Sequence, residues 1–497
     1  MLETIKQQIM KTQIISAIAL ITVLFVSSAL ASNESKKEQI QNLIESYQLQ
    51  RTFNGSVLVA QQGEVIYSGG VGFANFEWKV KNSADTKFYL ASITKTFTSV
   101  TVMKLIDQGK LSLDTKLADV LKWYRSDTGN KVTIRHLLNH TSGIPNYFVL
   151  RGKTVDDVMK EFGNGPIDKL AFAKKYCQGD LEFEPGTQWN YNNSAYFLLG
   201  LIIEQVSGNS FENAVFEFIF KPLGMNNSGD IQAHQYDVFP GMATGYIRNF
   251  TDFVHPAYWN MSTAYAQGSI YSNVYDLLKF DQALYDPNFL SNATYEAMFT
   301  PNLNNYGFGW EIKELPIGKD KSTKKIRTHE GFLFAWHTRF YQIPDDQYLI
   351  VILSNGGSAP MENICSGITD ILYDRQSVLM KPLIANFVFD AFKKKNVKSA
   401  LEQCSGYFLK EKDKWDFSEY ELNHLGYYAL LSDPDSSVSI FKFITDIYPQ
   451  SWNAWDSYGE ALAVAGKKTE AIQAYEKSVN MNPENKAGLE MLKKLKN

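Results

Sequence analysis

Hydrophobic residues alternate with polar ones at both ends of a long N-terminal stretch and follow helical spacing between them. The segments Ser56–Ala60 and Glu64–Tyr67 flank a Gln62-Gly63 turn, a pattern that predicts a β-hairpin. Further strand-like segments occur near the end of the stretch: Tyr306–Lys313, His337–Ile343 and Tyr348–Ser354. Strands at both ends with helices between them indicate one α+β domain in which the terminal strands share a sheet.

The last hundred residues contain little strand signal and repeat with a period of 34 residues. The pairs separated by that period are Val438 and Ile472, Phe441 and Tyr475, Ile447 and Met481, and Pro449 and Pro483. This helix–turn–helix period resembles the tetratricopeptide repeat. The second copy matches best, at Trp455, Tyr458-Gly459, Ala461, Ala471, Tyr475 and Pro483, whereas the first, around Leu425-Gly426-Tyr427, is degenerate. An ordinary helical tail is the alternative.

Two repeats are fewer than the three or so that usually form a stable array. We therefore expect them to pack on the preceding helices, around Ile384–Phe408. The predicted organisation is a signal segment over 1–31, an α+β domain over 32–380, and helices with repeats over 381–497. The concave surface of such repeats is suited to a protein partner.

The first thirty residues have the layout of a secretory signal peptide. Lys6 and Lys11 precede an apolar run over Ile14–Leu30, and Ala29 and Ala31 place small residues before Ser32. The alternative is an uncleaved membrane anchor, because the run approaches the ~20 residues that a membrane span needs. Either interpretation predicts an exported protein, located in the periplasm of a Gram-negative cell.

Composition and charge narrow the function further. The chain of 497 residues is 44% hydrophobic and 21% charged, which is typical of two or three globular domains. Its formal net charge of −4 lacks the basic excess of a nucleic-acid-binding protein. The three cysteines, Cys177, Cys365 and Cys404, are far apart, so neither a disulfide framework nor a cysteine zinc site is predicted.

The segment Ser92-Ile93-Thr94-Lys95 is the strongest chemical signal. Positions i and i+3 of a helix share a face, so the hydroxyl and the amine can meet. Serine becomes a useful nucleophile when a base takes its proton, and lysine can act as that base when burial lowers its pKa. The same spacing recurs at Ser322–Lys325 and Ser439–Lys442, so the spacing alone is weak evidence.

The surroundings of Ser92 distinguish it from the other two segments. Apolar residues at Phe97, Val100 and Leu105-Ile106 continue a helix that ends at Gly109. Ser92 is therefore expected in the first turn of a buried helix, where unpaired backbone N–H groups and the helix dipole stabilise developing negative charge.

Two further segments complete a resemblance to the serine β-lactamase-related superfamily. Tyr191-Asn192-Asn193 matches the Y-x-N motif of that family, and His329-Glu330-Gly331 matches its late K/H-[ST]-G strand motif. The chain is most similar to class C β-lactamases, D-Ala-D-Ala carboxypeptidases and related esterases. Supporting segments are Leu137–Pro145, Pro185-Gly186, Pro222–Met225 and Gly268–Ser272. The resemblance covers roughly Phe53 to Tyr373 and implies an antiparallel sheet flanked by helices, plus a helical subdomain.

The resemblance also implies roles for individual residues. Ser92 would be the acylated nucleophile and Lys95 its base, while Tyr191 would act as a phenolate or as a proton shuttle to the leaving group. Asn193 would hydrogen-bond Lys95 and the substrate, and His329 would orient the substrate and tune Tyr191. The backbone N–H groups of Ser92 and Phe332 would form the oxyanion hole, and Gly331 would leave room for the substrate.

One departure from the family pattern bears on the substrate. Glu330 occupies the position of a hydroxyl residue that grips a substrate carboxylate. A glutamate that faced the substrate would repel a carboxylate. Esters, amides and peptides are therefore favoured over penicillin. Phe334-Ala335-Trp336 also differs from the Gly-Phe pair of many relatives, which leaves the shape of the pocket open.

Other functions receive less support. His136 and His140 are spaced for a zinc ion on one helix face, but Leu137 occupies the glutamate position of H-E-x-x-H. Neither a G-x-S-x-G elbow nor a phosphate-binding P-loop occurs. Two hypotheses remain: an exported serine hydrolase that acts through an acyl-enzyme without metal or cofactor, and a non-catalytic protein that binds cell-wall peptides.

Overall fold

The computed structural model describes residues 35–147, 160, 165–232 and 237–497. The predicted signal segment lies outside these described residues. The chain divides into two compact units. The main stretches of the first are Phe53–Ile247 and His255–Val378, and the second combines Leu379–Asn497 with the short segments Ser46–Thr52 and Arg248–Val254.

The strands lie mainly at the two ends of the first unit, with short paired strands between them. A separate hairpin covers 247–254. In chain order they are β1 (Gly55–Gln61), β2 (Glu64–Val71), β3 (Phe73–Asn75), β4 (Val80–Lys81), β5 (Phe88–Tyr89), β6 (Gly229–Asp230), β7 (Ile247–Asn249), β8 (Asp252–Val254), β9 (Ile270–Ser272), β10 (Glu311–Leu315), β11 (Lys324–Leu333), β12 (Trp336–Ile343) and β13 (Tyr348–Ser354).

Six of these strands form one antiparallel sheet in the order β10-β11-β12-β13-β1-β2. Strand β1 pairs with β13 along its whole length, from Gly55 opposite Ser354 to Gln61 opposite Tyr348. The predicted α+β fold, with N- and C-terminal strands in one sheet, is therefore confirmed. The predicted strand over Tyr306–Lys313 is observed only from Glu311 onward.

The hydrophobic pattern does not predict strand β11, because three consecutive buried positions in it are polar. Arg327, Thr328 and His329 are each less than 8% exposed. Several of their polar atoms are paired: Arg327 Nη1 donates to the Tyr295 hydroxyl at 2.6 Å, and Thr328 donates to the Phe340 carbonyl at 2.9 Å, while Arg327 Nε has no partner among the described residues. Hydrogen bonds offset the cost of removing such groups from water, so a buried strand does not have to be apolar.

Helix α1 precedes the strands of the sheet, and the other helices lie between its N- and C-terminal strands or after them. They are α1 (35–49), α2 (Thr94–Asp107), α3 (Leu117–Val120), α4 (Ser126–Gly129), α5 (Ile134–Leu138), α6 (Lys169–Tyr176), α7 (Asn193–Ser207), α8 (Phe211–Val215), α9 (Tyr265–Gly268), α10 (Val274–Ala283), α11 (Asn292–Phe299), α12 (Met361–Leu372), α13 (Ile384–Lys393), α14 (Val397–Glu411), α15 (Glu419–Leu430), α16 (Pro434–Ile447), α17 (Trp452–Val464), α18 (Lys468–Met481) and α19 (Lys486–Lys496).

Helix α2 forms the centre of the first unit. Its residues are buried almost all the way round, and Phe97 stacks on Phe280 with ring centroids 4.2 Å apart. A helix buried on every side can hold a polar group away from water only if neighbouring elements satisfy that group. This property decides the chemistry of Lys95.

The Leu379–Asn497 part of the second unit is built of helices, and its helix pairs repeat at the predicted period. Helices α16 and α18 begin and end 34 residues apart. In the first pair a Cβ at Gly426 would lie 2.4 Å from the Phe441 ring, and in the second a Cβ at Gly459 would lie 2.9 Å from the Tyr475 ring. Each pair thus packs an aromatic ring on a glycine.

The repeating helices share one hydrophobic core with the helices that precede them. That core contains Ile384 of α13 and Leu401 of α14, together with Ile440 and Ile444 of α16. In the part of the chain that the structure describes, none of the helices has the length and apolar character that a membrane span needs.

Candidate active site

Ser92 lies in a short 3-10 turn, Ala91–Ile93, immediately before α2. Ala91 has a φ of +49° and is buried. Left-handed backbone at a residue with a side chain costs free energy and is concentrated at functional sites. The sheet holds this turn in place, because Thr338 donates to the Leu90 carbonyl at 2.7 Å and Leu90 donates to the Ile270 carbonyl at 2.8 Å.

Lys95 is fully buried one turn after Ser92. Its Nζ lies 3.1 Å from Ser92 Oγ, 2.9 Å from the Gln267 carbonyl oxygen and 3.3 Å from Gln267 Oε1. Burial holds the pKa of the Lys95 amine well below its ordinary value. A neutral amine has two N–H donors and one lone pair. Both Gln267 oxygens can only accept, so they take the two donors and leave the lone pair for the Ser92 hydroxyl.

Tyr191 completes the group around Ser92. The Lys95 Nζ lies 4.9 Å from the centre of the Tyr191 ring. Burial raises the pKa of Tyr191, and its hydrogen bond to Ser92 lowers the pKa by less. The phenol therefore keeps its proton at neutral pH, which favours the proton shuttle over the phenolate that the resemblance also allowed.

His140 anchors the Tyr191-Asn192-Asn193 segment and was not predicted as a site residue. It is fully buried with a φ of +61°, and its Nδ1 accepts from the Asn192 N–H at 3.1 Å. Its ring lies 4.5 Å from the Tyr191 ring. Burial lowers the pKa of His140 well below its usual value, so the imidazole is neutral. His140 thus fixes the position of Tyr191 without adding charge.

Asn193 does not make the expected hydrogen bond to Lys95. The hydrogen-bond partners of Lys95 are Ser92 and both oxygens of Gln267. Asn193 Oδ1 is instead buried with no partner among the described residues. A buried carbonyl oxygen without a partner costs free energy, and a substrate N–H is a group that could satisfy it.

His329 also differs from its expected role. Its Nδ1 lies 2.8 Å from the Glu330 carbonyl oxygen, which can only accept, so Nδ1 carries the proton. Its Nε2 then accepts from the Tyr306 hydroxyl at 2.9 Å. Both ring nitrogens are therefore occupied, and His329 cannot hydrogen-bond a substrate directly. Burial lowers the pKa of His329 to about 4.

Gly331 is required by packing against the nucleophile turn. A Cβ on Gly331 would lie 2.1 Å from the Leu90 carbonyl oxygen and 3.1 Å from the Ser92 nitrogen. The expected reason, space for the substrate, is thus replaced by close backbone contact. This contact brings β11 beside the Ser92 N–H, as the predicted oxyanion hole of Ser92 and Phe332 requires. The Phe332 side chain is 54% exposed.

Glu330 lies on the opposite face of β11 from Gly331 and His329. It accepts from His337 Nε2 at 2.7 Å and from Arg339 Nη1 at 2.6 Å. These bonds and the charges of both partners lower the pKa of Glu330. Glu330 therefore points away from the nucleophile, the arrangement in which no repulsion of a substrate carboxylate was expected, because side chains alternate along a strand.

The zinc alternative at His136 and His140 is not supported. Helix α5 ends at Leu138, and His136 Nδ1 accepts from the Thr133 N–H at 3.3 Å as part of a helix cap. The described residues contain no group of three His, Cys, Asp or Glu side chains that could hold a metal ion.

Sequence reasoning missed Gln267, His140 and Tyr306. Gln267 immediately precedes the supporting segment Gly268–Ser272, and His140 lies within Leu137–Pro145. Both residues are therefore next to or within segments that already indicated the family. Their contacts join elements more than 50 residues apart in the chain. Periodicity carries no information about such contacts.

The arrangement agrees with comparisons to known proteins. A family model described as Beta-lactamase matches residues 40–364. Penicillin-binding protein 4* of Bacillus subtilis is 31% identical over 341 residues, which cover 65% of this chain and 72% of the relative. The octameric penicillin-binding protein homologue from Pyrococcus abyssi superposes with a TM-score of 0.57 at 26% identity, covering 68% of this chain and 77% of that one.

A more distant structure supports the fold alone. D-amino acid amidase from Ochrobactrum anthropi superposes with a TM-score of 0.56 at 21% identity, over 68% of this chain and 96% of its own.

Proposed function

The chain belongs to the beta-lactamase family of serine hydrolases, and from that membership we propose that it hydrolyses an ester, amide or peptide through an acyl-enzyme on Ser92. The site holds the three groups such a reaction needs: a nucleophile, a neutral base and a protonated acid. The family alone does not choose among ester, amide and β-lactam substrates.

The hydrogen-bond arrangement of Lys95 carries the proposal. Its two partners other than Ser92 are both acceptors on Gln267, at 2.9 and 3.3 Å. A structural lysine that remained an ammonium would normally be paired with a carboxylate, because burying a lone charge is costly. A neutral amine with its lone pair toward a serine hydroxyl 3.1 Å away is poised to accept a proton.

The proposed reaction balances with the groups present and one water. Ser92 Oγ attacks the carbonyl carbon while its proton moves to Lys95 Nζ. Tyr191 then donates its proton to the leaving oxygen or nitrogen, and the Lys95 ammonium returns a proton to Tyr191. The C–O or C–N bond to the leaving group breaks as the Ser92 ester forms. Water hydrolyses that ester and releases the acid and free Ser92.

The orientation of Glu330 bears on the choice of substrate. Because Glu330 is paired on the far face of β11, it does not repel a carboxylate. The family's motif hydroxyl is nonetheless absent from this position. A substrate that depends on that hydroxyl would bind less well, so we propose esters and amides ahead of β-lactams.

The test is intact-mass spectrometry after incubation with a fluorophosphonate, a p-nitrophenyl ester or a penicillin. We expect adducts or an ester burst with the first two reagents, absent in Ser92→Ala. A stable penicillin adduct would place β-lactams among the ligands. A folded protein that forms no Ser92-dependent adduct with any reagent would overturn the hydrolase proposal in favour of a peptide-binding role.

We further propose that the protein is exported and that its C-terminal helices are tetratricopeptide-like repeats that bind a protein partner. The charged and apolar layout of Met1–Ala31 supports export. The 34-residue offset of α16 and α18 and the glycine–aromatic packing in both pairs support the repeats. The N-terminal sequence of protein recovered from the native cell would test cleavage after Ala31.

A further inference from the structure

A cavity, here called the aromatic pocket, opens beside the turn between β11 and β12. It has a volume of about 270 Å³. Six of the lining side chains are apolar or aromatic: Tyr89, Trp259, Met261, Leu333, Phe334 and Trp336. A cavity of roughly 150 Å³ lined by apolar side chains already accommodates benzene, so this pocket has room for a phenyl-bearing group.

The aromatic pocket is joined to the active site by two chain segments. Tyr89 precedes Ser92 by three residues, and Leu333 follows Gly331 by two. At a rise of about 3.3 Å per residue, Leu333 lies only about 7 Å along the strand from Gly331. A group attached to the Ser92 ester could therefore reach the pocket.

The position of Tyr191 decides which half of the substrate enters the aromatic pocket. The leaving group must lie near the Tyr191 hydroxyl, and the Tyr191 ring is 6.3 Å from the His329 ring. His329 precedes Gly331 on β11, whereas Leu333 follows it. The leaving group therefore lies toward His329, and the acyl group lies toward the aromatic pocket.

The described lining of the aromatic pocket contains no Lys, Arg, Asp or Glu side chain. Burial raises the pKa of Tyr89 to about 12, so this phenol is uncharged. His255, an exposed lining residue, is paired with Glu77 at 2.6 Å. The rings of Trp259 and Phe334 lie 4.8 Å apart, and those of Tyr89 and Trp336 lie 4.7 Å apart. These surfaces favour flat apolar groups.

The rim carries features of a ligand site rather than of a closed core. Met261 and Trp336 are buried, but Phe334 is 41% and Tyr258 is 54% exposed. Exposed aromatic side chains around a cavity are typical of a binding surface. Phe334 also has a φ of +47°, a strained conformation for a bulky residue that holds its ring beside Trp259.

We propose that the aromatic pocket binds the acyl group of the substrate and selects a neutral, aromatic one. The proposal rests on the hydrolase function, since it names the substrate class of the same site. The preference arises from apolar surface buried in the complex, which a short acyl group such as acetyl cannot fill.

The test compares p-nitrophenyl phenylacetate with p-nitrophenyl acetate, which share a leaving group. We expect wild-type kcat/KM to favour phenylacetate by about ten-fold or more. Phe334→Ala should lower phenylacetate turnover and remove most of that ratio. Ala257→Trp, at an exposed lining position, should block the pocket and lower phenylacetate turnover. Trp78→Ala, at a residue 83% exposed and outside the lining, is the matched control.

A binding measurement separates failure of the pocket from failure of the hydrolase. Phenylacetamide is titrated into Ser92→Ala while tryptophan fluorescence is recorded, because Trp259 and Trp336 line the pocket. Saturable quenching that Phe334→Ala abolishes supports the pocket. An ester ratio unchanged in both pocket variants, or no saturable quenching, overturns it. Absence of any Ser92 adduct together with saturable quenching overturns the hydrolase and its acyl selectivity while leaving a ligand pocket.

Discussion

The two faces of strand β11 differ in charge at neighbouring residues. His329 and Gly331 face the nucleophile, and the His329 imidazole is neutral. Glu330, between them, faces the other way and is ionised between His337 and Arg339. Alternation along one strand thus separates a neutral reaction site from an ion-pair cluster. The residue type at a motif position therefore indicates a chemical role only when the face of the strand on which its side chain lies is known.

Burial acts on the titratable groups enclosed around Ser92 in the direction that removes charge. It lowers the pKa of Lys95, His140 and His329, and raises that of Tyr191. Proton transfers between neutral groups in such a site need little rearrangement of solvent. Substitutions on the two faces of β11 should therefore have different consequences.

The largest effect is expected from removing the base. Lys95→Met retains an apolar side chain of similar length but has no lone pair for the Ser92 proton. Fluorophosphonate labelling and ester turnover should fall by about 10³-fold or more. Lys104→Met, on the same helix, is the control, because its amine bonds Phe289 outside the site. Comparable losses in both variants would mean that a structural defect, and not a lost base, is responsible.

The next effect is expected from closing the gap between β11 and the nucleophile turn. In Gly331→Ala, the added methyl group would meet the Leu90 carbonyl at 2.1 Å, so the strand or the turn must shift. Displacing an oxyanion-hole donor lowers turnover by about 10²-fold. Stopped-flow ester hydrolysis measures this loss. Wild-type turnover in a folded Gly331→Ala protein would contradict the close-contact interpretation.

Acidification should lower the free energy of unfolding through the protonation of His329. The unfolded chain protonates His329 near its ordinary pKa of 6.5, whereas the folded protein resists protonation down to about 4. The unfolded state therefore binds more protons between these values, and the free energy of unfolding falls as pH decreases through that window. The His329 contribution is on the order of 3 kcal/mol.

Urea unfolding at pH 7 and pH 4.5 measures this dependence. His329→Gln, which cannot titrate, should lose clearly less stability on acidification. An equal loss in the variant would assign the acid sensitivity to other groups, of which buried His140 is the first candidate.

The smallest effect is expected on the charged face. Glu330→Gln removes a carboxylate that is 40% exposed, so solvent screening limits the loss to about 1 kcal/mol of unfolding free energy. Turnover of a neutral ester should stay within about two-fold. Glu362→Gln, at the more exposed partner of Arg339, should cost less. A large rise in KM for Glu330→Gln alone would show that Glu330 does reach the substrate.

The fold and the nucleophile could be predicted from the sequence, but the environment of the nucleophile could not. Alternation located β1, β2, β12 and β13, because their apolar residues fill the core. It missed β11, in which the three consecutive buried positions 327–329 are polar. Ser92, Lys95 and Tyr191 meet as the motifs predicted. The oxygens that hold Lys95 come from Gln267, 172 residues away, one of them from the backbone, which no side-chain pattern records.

The central claim is that Lys95 is a neutral amine, and its pKa can be measured directly. In protein labelled with ¹³Cε-lysine, the resonance absent from Lys95→Met identifies Lys95, and its shift is followed from pH 5 to pH 11. The structure predicts that this resonance already has the chemical shift of a neutral amine at pH 8. An ammonium shift that persists until pH approaches 10.5 would contradict the role of Lys95 as the base.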